Sequence, residues 1–201
     1  MAGKRADVLQ HWMMLIERYT LDRAFYRLTQ REFDWEPHSG AWGVRRRAEC
    51  STPNPSGDPD GDWVCDQDWE TQMSAWPLNA AGEPNEPMAT IGWLLNHFGA
   101  APGLTAQLDF VGGIVSPTGE GYRRMWAYTV IPSVDEAVAR FRDGWSALGT
   151  ALDDASDETL ELDRDGHPWK RGDRAVSALL NEVSHHGTQI CMLRDIYTHR
   201  G

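Results

Sequence analysis

From about Arg5 to Leu28 the apolar residues Val8, Leu9, Trp12, Met13, Leu15, Ile16, Tyr19 and Phe25 recur every three or four positions, uninterrupted by proline or glycine. The spacing predicts one long amphipathic helix. "WEPHSGAWG" (residues 35–43) ends it with Pro37 and Gly40, and residues 49–88 then run through repeated prolines with little periodicity. That stretch reads as a long irregular excursion, and because it holds Trp63, Trp69 and Trp76 it is expected to lie against the domain rather than hang free. Helical spacing returns in "TIGWLLNHFGAAPGLTAQLDF" (90–110), with Thr90 as N-cap, Ile91, Leu94, Leu95, Phe98, Leu104 and Leu108 inward, and Pro102 bending or ending the helix. After the glycine-rich "VGGIVSPTGEG", the signal "SVDE" opens a third helix: Ser133 and Glu136 have capping-box spacing, and Val134, Ala137, Val138, Phe141, Trp145, Leu148 and Leu152 follow. A turn-rich segment from residue 154 leads into a last helix, from Asp173 or Arg174 to Tyr197.

Four long helices with almost no strand pattern predict an all-α chain folded as a four-helix bundle, up-and-down or with a crossover. With 201 residues and 41% hydrophobic content, one core and a single domain over residues 1–201 are expected, with 49–88 as an inserted irregular segment.

Charge and composition narrow the function. A net charge of −11 argues against nucleic acid as a partner, and Arg45-Arg46-Arg47 is too short a basic run to reverse it. No stretch approaches the roughly 20 apolar residues that span a bilayer, and the start lacks the apolar run of a secretion signal. A cytoplasmic protein with no membrane partner is expected. The three cysteines, Cys50, Cys65 and Cys191, match no zinc ribbon or CxxC pattern and read as reduced thiols, with a Cys50–Cys65 bridge as a minor alternative. Ten tryptophans are many for this length, and such rings line concave sites as well as cores.

Chemistry concentrates in "LLNEVSHHGTQICMLRD" (179–195), where Glu182, His185 and His186 interrupt an otherwise apolar helix. Glu182 and His186 are four residues apart, about one helical turn of 5.4 Å on one face, which suits two ligands of one cation. His97, on the inward side of the second helix, is the candidate third ligand, since bundle metal sites take donors from facing helices. Two histidines and one carboxylate form a set used by catalytic zinc and by some iron(II) enzymes. Spacing alone leaves other readings open: an i,i+4 surface pair, a hydrogen-bonded core His97, or His185 in place of His186. Gln189 could support a ligand histidine through a hydrogen bond, or be an exposed polar residue. Arg194 could bind a substrate carboxylate, or pair locally with Asp195. Trp42, Trp63, Trp69 and Trp76 could wall the site or simply pack. Cys191 reads as core, and a Ser184–His185 nucleophile pair is disfavoured because helix neighbours diverge.

The segments "NEVSHHGTQICMLRDIY", "TIGWLLNHF" and "FDWEPHSGAWGVRRR", in order over nearly the whole chain, resemble the DinB-like (YfiT-like) family of metal-binding four-helix bundles. The similarity is closest to the branch that contains mycothiol-dependent maleylpyruvate isomerase; the long proline-rich 49–88 departs from a minimal member. The resemblance implies His97, Glu182 and His186 as ligands of a divalent metal, zinc first with nickel or iron as alternatives. It settles the register in favour of His186, the residue directly before "G-x-Q-I". It also implies a low-molecular-weight thiol of the mycothiol kind as co-substrate, bound to the metal as thiolate and used for S-transfer to, or isomerisation of, a small electrophile. Glu182 is expected to be a permanent ligand rather than a labile base. Second readings are a hydrolase using metal-bound hydroxide, a non-catalytic stress-response bundle, and more distantly an iron(II) oxygenase. Homodimerisation through exposed bundle faces is the default association.

Overall fold

A computed structural model describes residues 4–52, 55–66, 88–99, 129–161 and 171–200. These are mostly helical, with one small antiparallel sheet. The first helix, α1 (Lys4–Ile16), buries Ala6, Leu9, Met13 and Ile16 at three- and four-residue spacing. The next inward position would be residue 20, but a π-helical turn over Glu17–Leu21 inserts one residue and moves burial to Leu21, then to Ala24 and Phe25 in α2 (Asp22–Phe25). The simple stripe is corrected too: Val8 and Tyr19 are largely exposed and Leu15 partly so, although all three fit the apolar spacing.

A short α3 (Gln30–Phe33) follows, opened by a full capping box between Thr29 and Glu32. Strand β1 (Val44–Arg46) pairs antiparallel with β2 (Trp63–Cys65), so part of the expected irregular excursion is a sheet. An isolated bridge Trp42–Ala89 ties its flank to the chain leading into α4 (Ile91–Gly99), and a second, Ser56–Cys65, joins β2 to the segment before it. The three arginines of the basic run are held within the protein: Arg45 by Glu36 and Asp66, Arg46 over the Trp63 ring, and Arg47 on the carbonyls of Asp58 and Gly61. The remaining helices are α5 (Val134–Asp154), α6 (Asp157–Glu161) and α7 (Gly172–Arg200).

Both N-cap expectations fit the local geometry. The Thr90 hydroxyl accepts the Trp93 N–H at 3.1 Å, and the Ser133 hydroxyl accepts the Glu136 N–H at 3.5 Å. The part of the second predicted helix beyond residue 99, with Pro102, Leu104 and Leu108, lies outside the described residues, as do Trp69 and Trp76. Among the described residues no helix is long and apolar enough to cross a membrane.

Helices α1, α5, α4 and α7 pack in a closed circuit, each against the next, with α6 against α1 and α7. Their inward faces form the core, in which Phe25, Phe98, Phe141 and Trp145 make a chain of ring contacts at 5.3–5.6 Å. Polar groups fix the registers. The Asn96 amide, fully buried on α4, donates to the Gly92 and Ile131 carbonyls and accepts from the Ile131 N–H and Arg140. Arg194 on α7 donates to Glu32 at 2.8 Å and to the Arg23 and Ala24 carbonyls at the end of α2, which lack helical partners. At Gly187 an added Cβ would lie 2.7 Å from Thr20 Cγ2, so the absence of a side chain lets the π turn press against α7.

Burial alone would raise the Glu32 pKa, but the Arg194 guanidinium, with the Thr29 N–H and hydroxyl, outweighs it and holds the carboxyl below its usual range. Such a group adds stability that is complete above its unfolded pKa of about 4.3 and is lost as pH falls through the folded value. Arg194→Met is therefore expected to lower unfolding free energy at pH 7 by roughly 2–3 kcal/mol, a little under the range for a fully buried pair. The gap to wild type should narrow at about pH 3.5; urea titrations at the two pH values check this. Gly187→Ala is expected to cost about 1–3 kcal/mol through overpacking, and Thr20→Ser in the same chain to recover part of it; a double-mutant cycle reads the coupling.

Candidate metal centre

The candidate site lies where α4 meets α7. Capping at Thr90 starts α4 so that Trp93 and His97, one turn apart, stack their rings at 4.5 Å and 14°. Trp42 extends the stack, 5.2 Å from Trp93. From α7, His186 enters between two rings of α4: its edge meets His97 with centroids 5.0 Å apart at 86°, and its face lies along Phe98 at 5.6 Å and 15°. His186 is 5% exposed, whereas His185 is exposed. Packing thus turns inward the histidine that the resemblance singles out, a choice that helical spacing left open.

The two ring nitrogens of His186 have different surroundings. Nδ1 lies 2.7 Å from the Gln189 amide oxygen. Nε2 is 3.3 Å from Glu182 Oε2, yet it is buried and makes no hydrogen bond of acceptable geometry to any described residue. Glu182 sits at the rim, its side chain 57% exposed, so it is only partly desolvated. Contact with His186 is the main influence holding its carboxyl below the usual range, with burial opposing and His185 assisting. His97 is pushed down to about 3 by burial and by the neighbouring His186, so its imidazole is neutral throughout the physiological range. The Trp93 indole N–H is also buried with no acceptor among the described residues.

The structure therefore brings His186 against both Glu182 and His97. It does not close all three into one cluster: among the described residues no group of three or more His, Cys, Asp or Glu side chains is gathered as a metal site, and the His97 ring lies flat on Trp93. Gln189 touches the candidate ligand directly, and Trp42 stands one ring removed from His97. Between α4 and α7 a groove of about 110 Å³ opens beside Trp93 and Gln189, walled by Met88, Leu94, Met192 and Leu193.

Arg194 does not make the local pairing with Asp195 that the sequence offered. Its guanidinium is committed to Glu32 and two backbone carbonyls, and Asp195 pairs instead with Arg23 at 2.6 Å. The reason is rotational: adjacent residues on α7 diverge, so Arg194 reaches α3 and the backbone of α2 while Asp195 meets the Arg23 side chain. Cys191 is core, its thiol 3.6 Å from the Thr20 carbonyl and its pKa raised by burial. Cys50, Cys65 and Cys191 are all unbridged, which removes the Cys50–Cys65 alternative; the Cys50 thiol donates to Asp66 at 3.2 Å.

Sequence reasoning passed over Phe98 as part of the site and Trp93 as the ring that holds His97. The i,i+4 spacing of Trp93 and His97 was the available signal. Glu32 was also passed over, although "TQRE" (29–32) carries the capping-box signature. Comparison of the chain with protein-family models, with curated proteins and with solved structures gives no match.

A base with a depressed pKa adds stability that is complete above its unfolded value of about 6.5 and is lost as pH falls toward the folded one. Between about pH 6 and pH 4 the metal-free protein is expected to lose about 1.4 kcal/mol per pH unit through His97 alone. In His97→Asn that component of the slope should vanish; denaturant titrations across the pH range measure it.

Proposed function

We propose that this chain is a DinB-like four-helix bundle and a metal-dependent enzyme in which a low-molecular-weight thiol, of the mycothiol kind, attacks or isomerises a small electrophile. The closed packing circuit of α1, α5, α4 and α7 supports the bundle, together with the three motif blocks that resemble the family. One observation carries the site: His186 Nε2 is buried without a hydrogen bond and faces an ionised carboxylate oxygen at 3.3 Å. A buried imidazole nitrogen and an ionised carboxylate oxygen at that distance are two donor atoms that one cation could share.

The donor chemistry fits a divalent ion. His97 is neutral and can donate a lone pair, Glu182 is ionised, and a two-histidine, one-carboxylate set suits zinc first and nickel or iron(II) next. His97, Glu182 and His186 would hold it. When bound, such an ion supplies the positive charge that favours the thiolate form of an incoming thiol near neutral pH.

The protein's own residues set the conditions for that chemistry. Phe98 covers one face of His186 and keeps water from it. Trp42 and Trp93 form a wall behind His97. Glu182, at the exposed rim, marks the side from which a ligand reaches the buried imidazoles. Arg194 uses its Nε and Nη1 donors on Glu32 and on the end of α2, which anchors α7 beside the site.

Metal analysis of the purified protein is expected to give one divalent ion per chain. His186→Ala and Glu182→Ala should each lower affinity by at least about tenfold while far-UV circular dichroism stays helical. Thiol consumption with chlorodinitrobenzene should require both the ion and the thiol. Turnover of an activated ester without thiol would favour hydrolysis instead, and a protein that takes up no ion would leave only the bundle.

A further inference from the structure

We infer that Gln189 is a positioning residue that fixes His186 as the Nδ1–H tautomer, so that Nε2 presents a bare lone pair toward Glu182. The argument starts from the amide. Its oxygen lies 2.7 Å from Nδ1, and a carbonyl oxygen can only accept, so the ring nitrogen donates. A neutral imidazole carries one proton, and with Nδ1 protonated Nε2 has none. The other side of the ring agrees. A proton on Nε2 would have an acceptor within reach, the Glu182 carboxylate, yet Nε2 makes no hydrogen bond.

The local geometry makes this more than a chance contact. Gln189 follows His186 by three residues and so stands on the adjacent turn of the same face of α7. Its oxygen sits at the short end of the N–H···O range, and its side chain is only partly exposed. Phe98 along one face and His97 at the edge leave the His186 ring little freedom to rotate away. His185 offers no competing partner for the amide, since it projects to solvent. The inference deepens the metal-centre reading and rests on it for its purpose, but the tautomer is a property of the metal-free chain and is measured there.

The test is long-range 1H–15N NMR of the histidine rings in metal-free protein at about pH 8.5, above the ordinary imidazole range. Wild type and Gln189→Glu, which keeps the acceptor, are expected to show His186 predominantly as Nδ1–H. Gln189→Leu, similar in size but without an acceptor, is expected to move the ring toward Nε2–H, where Glu182 can take the proton. On the same proteins, zinc affinity measured against a chromophoric chelator should fall about 10–100-fold in Gln189→Leu and be retained in Gln189→Glu. An Nε2–H ring in wild type, or a tautomer unchanged by Gln189→Leu, overturns the inference. If wild type takes up no zinc while its ring is Nδ1–H and responds to Gln189→Leu, the metal reading fails and the positioning role stands.

Discussion

Burying an imidazole without satisfying both of its nitrogens is the constraint around which the α4–α7 contact is organised. An unpaired buried polar group costs about 1–3 kcal/mol, and the His186 ring carries one at Nε2. The surroundings offset part of this: the Gln189 amide satisfies Nδ1, Phe98 lies along the ring face, and His97 meets its edge. What they leave unsatisfied is one lone-pair position, directed at a carboxylate. A leucine or phenylalanine of similar volume would fill the same position without that cost.

Two polar networks, one at each end of this contact, hold it in place. On α4, Asn96 uses both amide hydrogens and its oxygen to bind Gly92 and the Ile131 backbone, which fixes the helix one residue before His97. On α7, Arg194 ties the helix to Glu32 and to the end of α2 two turns beyond His186. Between them Gly187 lets the π turn approach so closely that Thr20 sits where a β-carbon would be. The inserted residue of that turn and the missing side chain on α7 are complementary. A regular α-helix through Glu17–Leu21 would rotate every later contact of the first helical segment by about 100°.

Local rules read much of this and fail where contacts are distant. Periodicity located α4, α5 and α7, and the caps Thr90 and Ser133 marked two of their starts, because those signals lie within a few residues of one another. The π turn was not legible, since apolar residues at 8, 12, 15 and 19 continue a perfect stripe, of which the tertiary structure leaves Val8, Leu15 and Tyr19 exposed. Strands of three residues are too short for alternation to register. The Glu32–Arg194 pair joins residues 162 apart, so a reading confined to neighbours assigned Arg194 to Asp195. At the site, the choice between His185 and His186 is 100° of helical rotation, which packing against Phe98 decides and spacing cannot.

The half-exposed position of Glu182 has a consequence for what the site can admit. His97 is uncharged where it lies buried against His186, while the Glu182 carboxylate beside His186 is held ionised at the rim. On a chain of net charge −11 that arrangement draws cations and repels anions. A positive ion at the rim would neutralise that carboxylate before an anionic substrate approached. Cation before anion is the order that this rim charge favours, and the proposed thiol chemistry would need the same order.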